Sequence, residues 1–309
     1  MTAPCGDPDD LATQRCAPAA QRRGDQRYAT AAPANRWLLI EQPGSWGRTA
    51  LTESRLDRRV AAQLQHRTAR LGVRVQLIRR PGRTIRTPLR RWAYSDSRPG
   101  SEQLRWGTFG SDAELLELTL DGSDGEPSNE AAYLVCAHAR HDTCCALRGR
   151  AVAAALAAQH PQQTWECSHL GGDRFAANLL VLPHGLYYGH VTTAAAGEIV
   201  RAYEDGRLEP TWLRGRSSLS PAAQAAQHHA RLALEEYGLD ALRPLEVAAA
   251  GTDVWRVRLE RKPGDVLVTV GASVSPAAER LTCHSAHPET VRVFRLIDLQ
   301  VNGDGPGPA

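Results

Sequence analysis

The length, composition and charge of the chain exclude several classes of protein. With 309 residues it is long for one domain, and its 42% of hydrophobic residues are enough for a substantial core. The net charge of +3 is small for this length, so we expect neither a nucleic-acid ligand nor a membrane partner.

The N-terminal sequence and the cysteine content predict a cytoplasmic protein. Residues 1–26 lack the apolar core of a secretory signal and are acidic where such a signal is basic. No stretch approaches the roughly 20 apolar residues that a membrane-spanning helix needs. Because cytosolic thiols stay reduced, the seven cysteines indicate metal binding or redox chemistry more than disulfide bonds.

The chain begins with a segment of low structural signal. Residues 1–33 are rich in Pro, Gly, Asp, Arg and Ala without periodicity, and we expect a flexible arm there. Cys5 and Cys16 lie in this arm, where we interpret them as free thiols.

An N-terminal α/β unit is predicted over residues 34–122. The apolar run at 37–41 is typical of a buried strand, residues 51–71 repeat apolar positions at helical spacing, and residues 73–79 alternate as a strand does. This strand–helix–strand order indicates a βαβ-type beginning. Two further strands are expected, at 92–94 and 115–120.

A second unit is predicted over residues 130–215, after a polar linker at 121–129 (DGSDGEPSN). Its predicted order is strand, helix, three strands and helix, at 131–136, 145–159, 163–167, 179–182, 186–191 and 193–203. Thr192 or Thr193 is expected to cap the last helix. This order, with a mixed sheet, is that of a small thioredoxin-like domain.

The remainder, 216–302, predicts a helix and a β-hairpin extension. Ser220 and Pro221 are typical of a helix start, and the alternation at 254–258 and 266–270 predicts the hairpin. A further strand is expected at 291–299. The segment CHSAH at 283–287 is either an ordinary loop or, with one cysteine and two histidines, half of a zinc site.

Residues 136–185 hold the strongest functional signal. They contain four of the seven cysteines and five of the eleven histidines. One strand leads into a loop at Cys136, and another leads into a loop with Cys167 and His169, so we predict a single metal site. Thiolates and imidazoles suit zinc, iron or iron–sulfur clusters and disfavour magnesium or calcium. The eight residues between Cys136 and Cys145 are too many for a typical structural zinc half-site, and they suit a larger two-iron cluster.

Two local features accompany these ligands. The helix that starts near Cys144 offers unpaired N–H groups to an anionic cluster, unless Asp142 caps it. Gly171 and Gly172 either permit close approach of a bulky ligand or form a tight turn that needs positive φ.

Four motifs, in order along most of the chain, resemble the sucrase/ferredoxin-like family. They are WLLIEQPGSWG at 37–47, CAH at 136–138 with Cys145, CSHLGGDRFAAN at 167–178 and LPHG at 182–185. The resemblance, which we interpret as that of a bacterial member, implies a thioredoxin-like ferredoxin domain that holds a [2Fe–2S] cluster. Despite the family's name, nothing in the chain resembles the paired carboxylates of a glycosidase, and we expect no sucrase activity.

The resemblance also implies a ligand set. In eukaryotic members two cysteines separated by eight residues bind one iron, and the two histidines of an H-x-x-x-H motif bind the other. These positions correspond here to Cys136, Cys145 and His169, but the second histidine is replaced by Asp173. We rank Cys167 first as the fourth ligand and Asp173 second.

Several neighbouring residues leave alternatives open. His184, or no protein group at all, is the last candidate for the fourth ligand, and Cys144 can replace the adjacent Cys145. Arg174 is expected to offset cluster charge or to pair with Asp173. His138 and His141 are expected to orient the loop or face solvent, and His184 is otherwise expected to donate or accept a supporting hydrogen bond.

The predicted function is that of a one-electron carrier with mixed Cys/His ligation. Imidazole ligands raise the reduction potential above that of a four-cysteine cluster, and the second imidazole nitrogen couples reduction to pH. Its partner would be an unidentified redox protein, a reductase or an electron acceptor, because the chain has no dinucleotide fingerprint. The alternatives are a thiol–disulfide redox protein that uses Cys144 and Cys145, and a protein with a structural zinc site.

Overall fold

Two β-sheets organise the protein. The computed structural model describes residues 15–82, 88–276, 281–285, 287 and 289–302. Within them, ten strands form one mixed sheet and four strands form a second, antiparallel sheet. The predicted mixed α/β class is confirmed.

The large sheet has the strand order β10-β9-β8-β6-β7-β2-β1-β3-β4-β5. Its strands are β1 Arg36–Glu41, β2 Val73–Arg79, β3 Arg90–Asp96, β4 Gln103–Phe109, β5 Glu126–Ser128, β6 Ala132–Cys136, β7 Thr164–Cys167, β8 Leu179–Leu182, β9 Leu186–Tyr188 and β10 Leu213–Arg216. The small sheet follows chain order, with β11 Pro244–Gly251, β12 Val254–Glu260, β13 Asp265–Pro276 and β14 Thr290–Asn302. The helices are α1 Cys16–Arg23, α2 Ala50–Glu53, α3 Arg58–Leu71, α4 Thr143–Gln159, α5 Thr193–Glu204 and α6 Pro221–Leu234.

The predicted βαβ beginning is present. Strand β1 pairs with β2 in parallel, and α3 lies between them in the sequence. The side chain of Asp57 accepts hydrogen bonds from the first N–H groups of α3, and Gly72 ends the helix with a φ of 64°. The helix predicted at 51–71 is therefore two helices, a short α2 and the longer α3.

The elements predicted over 130–215 are all present. Strand β6 is buried at all five positions, as its unbroken apolar run (AYLVC) requires for a strand covered on both faces. It pairs with β7 in parallel and with β8 in an antiparallel ladder, and β9 follows β8. The last strand is shorter than predicted, because it ends at Tyr188. Thr192 caps α5, as predicted.

One pair of strands joins the two halves of the large sheet. Strand β2 pairs with β7, with Ile78 opposite Cys167 and Arg79 opposite Glu166. The predicted units 34–122 and 130–215 therefore share a single sheet.

Two sequence-based expectations are wrong. The strand predicted at 115–120 is replaced by a 3₁₀ turn at Asp112–Leu116, whose start is fixed by a capping box of Ser111 and Glu114. Within the predicted flexible arm, residues 16–23 form α1, which packs on the turn at Asp173–Phe175. Four small residues of α1 are buried (Cys16, Ala17, Ala19 and Ala20), and such small side chains give little periodic signal.

The C-terminal region contains the predicted helix and hairpin. Ser220 caps α6, and β12 pairs with β13 in an antiparallel ladder. Strands β11 and β14 extend the hairpin to four strands, and α6 packs on one face of that sheet. Among the described residues, no helix has both the length and the apolar character that a bilayer span demands.

The fold predicts opposite effects for two helical glycines. A Cβ at Gly149 of α4 would overlap the carbonyl oxygen of Cys136, whereas a Cβ at Gly197 of α5 meets nothing within 4 Å. Gly149→Ala should therefore lower the free energy of unfolding by about 1–3 kcal/mol through overpacking. Gly197→Ala, the matched control, should raise it by about 0.5–1 kcal/mol. Urea denaturation measures both, and a stabilised Gly149→Ala protein would contradict this packing.

Candidate metal centre

The two loops predicted to form one site meet at one edge of the sheet. Strands β6 and β7 are parallel, with Cys136 opposite Cys167, so the loops that follow them leave the same edge. The metal-binding atoms of Cys136, Cys145 and His169 all lie within 4.8 Å of one another. Three of the predicted site residues are thus brought together.

Asp173 contacts two members of this group. Its Oδ1 lies 3.2 Å from Sγ of Cys145 and 3.0 Å from Nδ1 of His169. The carboxylate is almost fully buried. Asp173 follows Gly172, which adopts a φ of 78° and turns the chain back toward α4. The aspartate that replaces the expected histidine therefore occupies a position from which it can bind a metal.

Cys167, ranked first as the fourth ligand, has a different environment. It lies beside Cys136 on the neighbouring strand and is fully buried, but its sulfur does not belong to the group of metal-binding atoms. Burial raises the pKa of its thiol well above the usual range, so it remains neutral.

The adjacent cysteines of α4 point to different groups. Cys145 contacts Asp173, whereas Sγ of Cys144 lies 3.5 Å from Sγ of Cys283. Asp142 caps the helix, because its carboxylate accepts a hydrogen bond of 2.7 Å from the Cys144 N–H. Cys145 is therefore the residue that joins Cys136, and the start of the helix is capped by the protein itself.

The electrostatics of the group favour a thiolate at Cys136 and a carboxylate at Asp173, whereas the hydrogen bond to Cys136, followed by burial, raises the pKa of the Cys145 thiol well above its usual range. A hydrogen bond from Cys145 lowers the pKa of the Cys136 thiol well below its usual range, and His169 adds to this effect against the opposing effect of burial. Burial alone would lower the pKa of His169, but its contacts with Asp173 and Cys136 outweigh burial and raise it to about 9. Burial raises the pKa of Asp173, but hydrogen bonding and charge from His169 lower it overall. A bound cation can replace the positive charge of His169 in this arrangement.

The remaining histidines have supporting contacts. Nε2 of His138 lies 2.6 Å from the carbonyl oxygen of Gly47, which fixes the loop as predicted. The rings of His141 and His169 stack with centroids 3.6 Å apart. His184 does not belong to the group, and its Nδ1 lies 2.7 Å from the hydroxyl of Tyr203.

A buried arginine that sequence reasoning missed holds the His169 loop. Arg214 donates to the carbonyl oxygen of Gly171 and to Oδ1 of Asn178, both at 2.8 Å, and to the carbonyl oxygen of Thr30. A Cβ at Gly172 would overlap its guanidinium, so this glycine serves a tight turn against Arg214 rather than approach to a ligand. Nothing in the local sequence distinguishes Arg214 from the many other arginines.

Strand β2 supports the same loop from the other side. Arg74 donates to the carbonyl oxygens of His169 and Leu170, and Gln76 also donates to that of His169. Arg174, expected near Asp173, instead pairs with Asp25 at 3.3 Å. The N-terminal half of the chain thus shapes the candidate site.

Comparison with known proteins places these residues in a family. The sucrase/ferredoxin-like family matches residues 27–215, which is more than half of the chain and includes the whole Cys136–Asp173 group. The chain belongs to the sucrase/ferredoxin-like family. The resemblance expected from the motifs is thereby confirmed.

A curated relative in this comparison is a fungal protein. It is "Altered inheritance of mitochondria protein 32" from Candida glabrata, which is 29% identical over 126 residues. The match covers 35% of this chain and 40% of the relative, so this sucrase/ferredoxin-like chain spans less than half of that protein. No solved structure matches the chain.

The Arg214 contacts predict a specific effect on the site. Arg214→Lys should lower the free energy of unfolding by about 2 kcal/mol or more, because one ammonium cannot replace the guanidinium fork and buried carbonyls lose their partners. The same substitution should reduce the amount of transition metal that the folded protein can bind at the Cys136, Cys145 and His169 group.

Arg231→Lys provides the matched control. Arg231 is also buried and donates to three backbone carbonyls, those of Glu236, Gly238 and Ala241. Its substitution should destabilise the protein without changing the amount of transition metal that the folded fraction can bind. Equal loss of metal binding in both variants would show that Arg214 has no particular role in the loop.

Proposed function

We propose that this protein binds a [2Fe–2S] cluster through Cys136, Cys145, His169 and Asp173 and carries single electrons. The observation that carries the proposal is the convergence of two cysteines and a histidine from two separate loops, with Asp173 in contact with the group. A cluster bound there would supply a one-electron redox centre.

The donor set fits an iron–sulfur cluster in chemistry and environment. Two thiols and an imidazole are the ligand types found in mixed-ligand clusters, while hard cations such as magnesium prefer all-oxygen sites. Both cysteines are fully buried, so the protein shields the sulfur ligands from water. The N–H of Leu170 donates to Cys136, which is the kind of contact that tunes a metal thiolate.

Asp173 is the fourth ligand in this proposal. It stands where eukaryotic members of the family have their second histidine, and it contacts both Cys145 and His169. An oxygen of Asp173 groups with the nitrogens of His141 and His169, whereas Cys167, the candidate ranked first by sequence, joins neither group and is held as a neutral thiol. A carboxylate adds negative charge where those members have a neutral imidazole, so it should lower the potential relative to a Cys₂His₂ set.

A thioredoxin-like fold is part of the proposal. The segment from β6 to α5 has the order βαβββα that the sequence analysis assigned to a thioredoxin-like domain. Strands β6 and β7 are parallel, and β8 is antiparallel to β6. Its spatial order β9-β8-β6-β7, with α4 and α5 packed beside each other, supports this assignment.

The partly exposed histidines indicate where a redox partner would approach. His169 and His141 have side chains 27% and 31% exposed, whereas Cys136 and Cys145 are inaccessible. An unidentified reductase or electron acceptor would thus contact the histidine side of the site. A cytoplasmic location belongs to the same proposal.

The contacts of Cys144 and Cys145 speak against a thiol–disulfide enzyme. The two side chains face different groups, and both are buried. A reactive thiol must be accessible to its disulfide substrate.

Metal and sulfide analysis of anaerobically purified protein tests the proposal. We expect about two irons and two labile sulfides per chain, and a paramagnetic signal on reduction. Cys136→Ser, Cys145→Ser and Asp173→Ala should each lose most of the iron, while Cys167→Ala, a buried neighbour outside the group, should retain it. A single metal ion without sulfide would reject the two-iron cluster, and iron loss in Cys167→Ala alone would assign the fourth ligand to Cys167.

The pH dependence of the reduction potential tests the histidine ligand. The imidazole nitrogen of His169 that does not bind metal holds a proton more tightly in the reduced state, because that state is more negative. The potential of the wild-type protein should therefore fall as pH rises. His169→Cys should have a lower potential that no longer depends on pH in this way, and redox titration at several pH values measures both. A pH-independent wild-type potential contradicts ligation by His169.

A further inference from the structure

A second cysteine group lies on the other side of the Cys144–Cys145 pair. Sγ of Cys283 lies 3.5 Å from Sγ of both Cys16 and Cys144, and Sγ of Cys16 lies 3.7 and 3.8 Å from the two carboxylate oxygens of Asp142. One ligand atom from each of the four residues lies within 4.8 Å of all the others. We propose that Cys16, Cys144, Cys283 and Asp142 bind one zinc ion.

The separations match a tetrahedral site. With Zn–S bonds of about 2.3 Å and Zn–O bonds of about 2.1 Å, two sulfurs on one zinc lie about 3.8 Å apart, and sulfur and oxygen about 3.6 Å. The distances from Sγ of Cys283 to the other two sulfurs, and from Sγ of Cys16 to the Asp142 carboxylate, are close to those values, and the remaining separations are below 4.8 Å. A disulfide would need sulfurs at about 2.0 Å and would leave one of three thiols unpaired. All three cysteines are free.

The surroundings of the group call for a cation. Asp142 is fully buried, and Cys16 and Cys144 are nearly so. The carboxylate accepts hydrogen bonds from the N–H groups of Cys144 and Cys283 and lies within reach of the Cys16 thiol, but across the described ranges it forms no ion pair with a basic side chain. A buried carboxylate beside three thiols is unfavourable without a compensating positive charge. Three thiolates with one oxygen ligand form a closed set that suits a structural zinc ion.

The four ligands come from distant parts of the chain. Cys16 begins α1, Asp142 and Cys144 lie at the start of α4, and Cys283 lies in the connection between β13 and β14. Cys16 and Cys283 are outside the region that matches the family. Zinc at this position would fix the N-terminal helix and the small sheet to the large sheet, independently of the Cys136 site.

Metal analysis of full-length protein purified without chelator tests the site. We expect about one zinc per chain. Cys16→Ser and Cys283→Ser should each reduce the zinc content at least tenfold and retain the iron, while Cys136→Ser should lose iron and retain zinc. Because zinc and iron are lost in different variants, failure of the zinc proposal can be distinguished from failure of the proposed [2Fe–2S] function.

Two exposed histidines in the same loop provide matched controls. His284 and His287 lie beside Cys283 in sequence but contribute no atom to the group. His284→Ala and His287→Ala should retain zinc, and loss of zinc in either would move the site to the loop and overturn the proposal.

Cobalt provides a readout that does not depend on the yield of a variant. Co²⁺ added to chelator-treated wild-type protein should give the visible bands of a tetrahedral, sulfur-rich site, and Cys283→Ser should not show them. If wild-type protein binds neither zinc nor Co²⁺ in this way, or if zinc survives both cysteine substitutions, the proposal is wrong. Iron in place of zinc at these residues would also overturn it.

Discussion

The parallel pairing of β6 with β7 is the constraint on which the site depends. It places Cys136 opposite Cys167, so the loops that follow both strands start from neighbouring positions at one sheet edge. Helix α4 begins where the first loop ends and holds Cys145 in its first turn, and Gly149 lets the helix backbone lie against Cys136. Without this pairing, the loop that carries His169 and Asp173 would not start beside the two cysteines.

The first turn of α4 contributes adjacent cysteines to two different side-chain groups. Successive positions of a helix point about 100° apart, so Cys144 and Cys145 cannot both face one compact site. One thiol turns to the Cys136 group and the other to Cys16 and Cys283. Asp142 caps the helix and also accepts a hydrogen bond from the N–H of Cys283, which anchors the distant loop. The polar residue before the helix thus positions elements on both sides of it.

Local patterns predicted the fold well where the sequence has clear apolar runs or alternation, or a clear N-cap residue. The strands around Cys136 and Cys167 and the helix capped by Thr192 follow from apolar runs and N-cap chemistry. Helix α1 did not, because its buried face consists of alanine and one cysteine, which carry little hydrophobic signal. The run at 115–120 looked like a strand, but the capping box of Ser111 and Glu114 fixes a turn there.

The site was predictable to the extent that its ligands follow strand ends. Cys136 and His169 were predicted in this way, and the family resemblance favoured Cys145 over Cys144. The contact of Asp173 depends instead on the turn at Gly172 and on Arg214 behind it. Such long-range support has no local signature. The partners of Cys283 are similarly distant in the sequence, so the local pattern indicated only its neighbouring histidines as possible co-ligands.

The pairing of β2 with β7 has a consequence for how the family region is divided. Strand β7 would be the outer strand of a segment cut at residue 130, and its free backbone groups would be open to pairing with other chains. The same cut would remove Arg74 and Gln76, which fix the carbonyls beside His169. A fragment that keeps the loop of His169 in its present shape must therefore include β2, so the N-terminal half of the chain is part of the framework of the site.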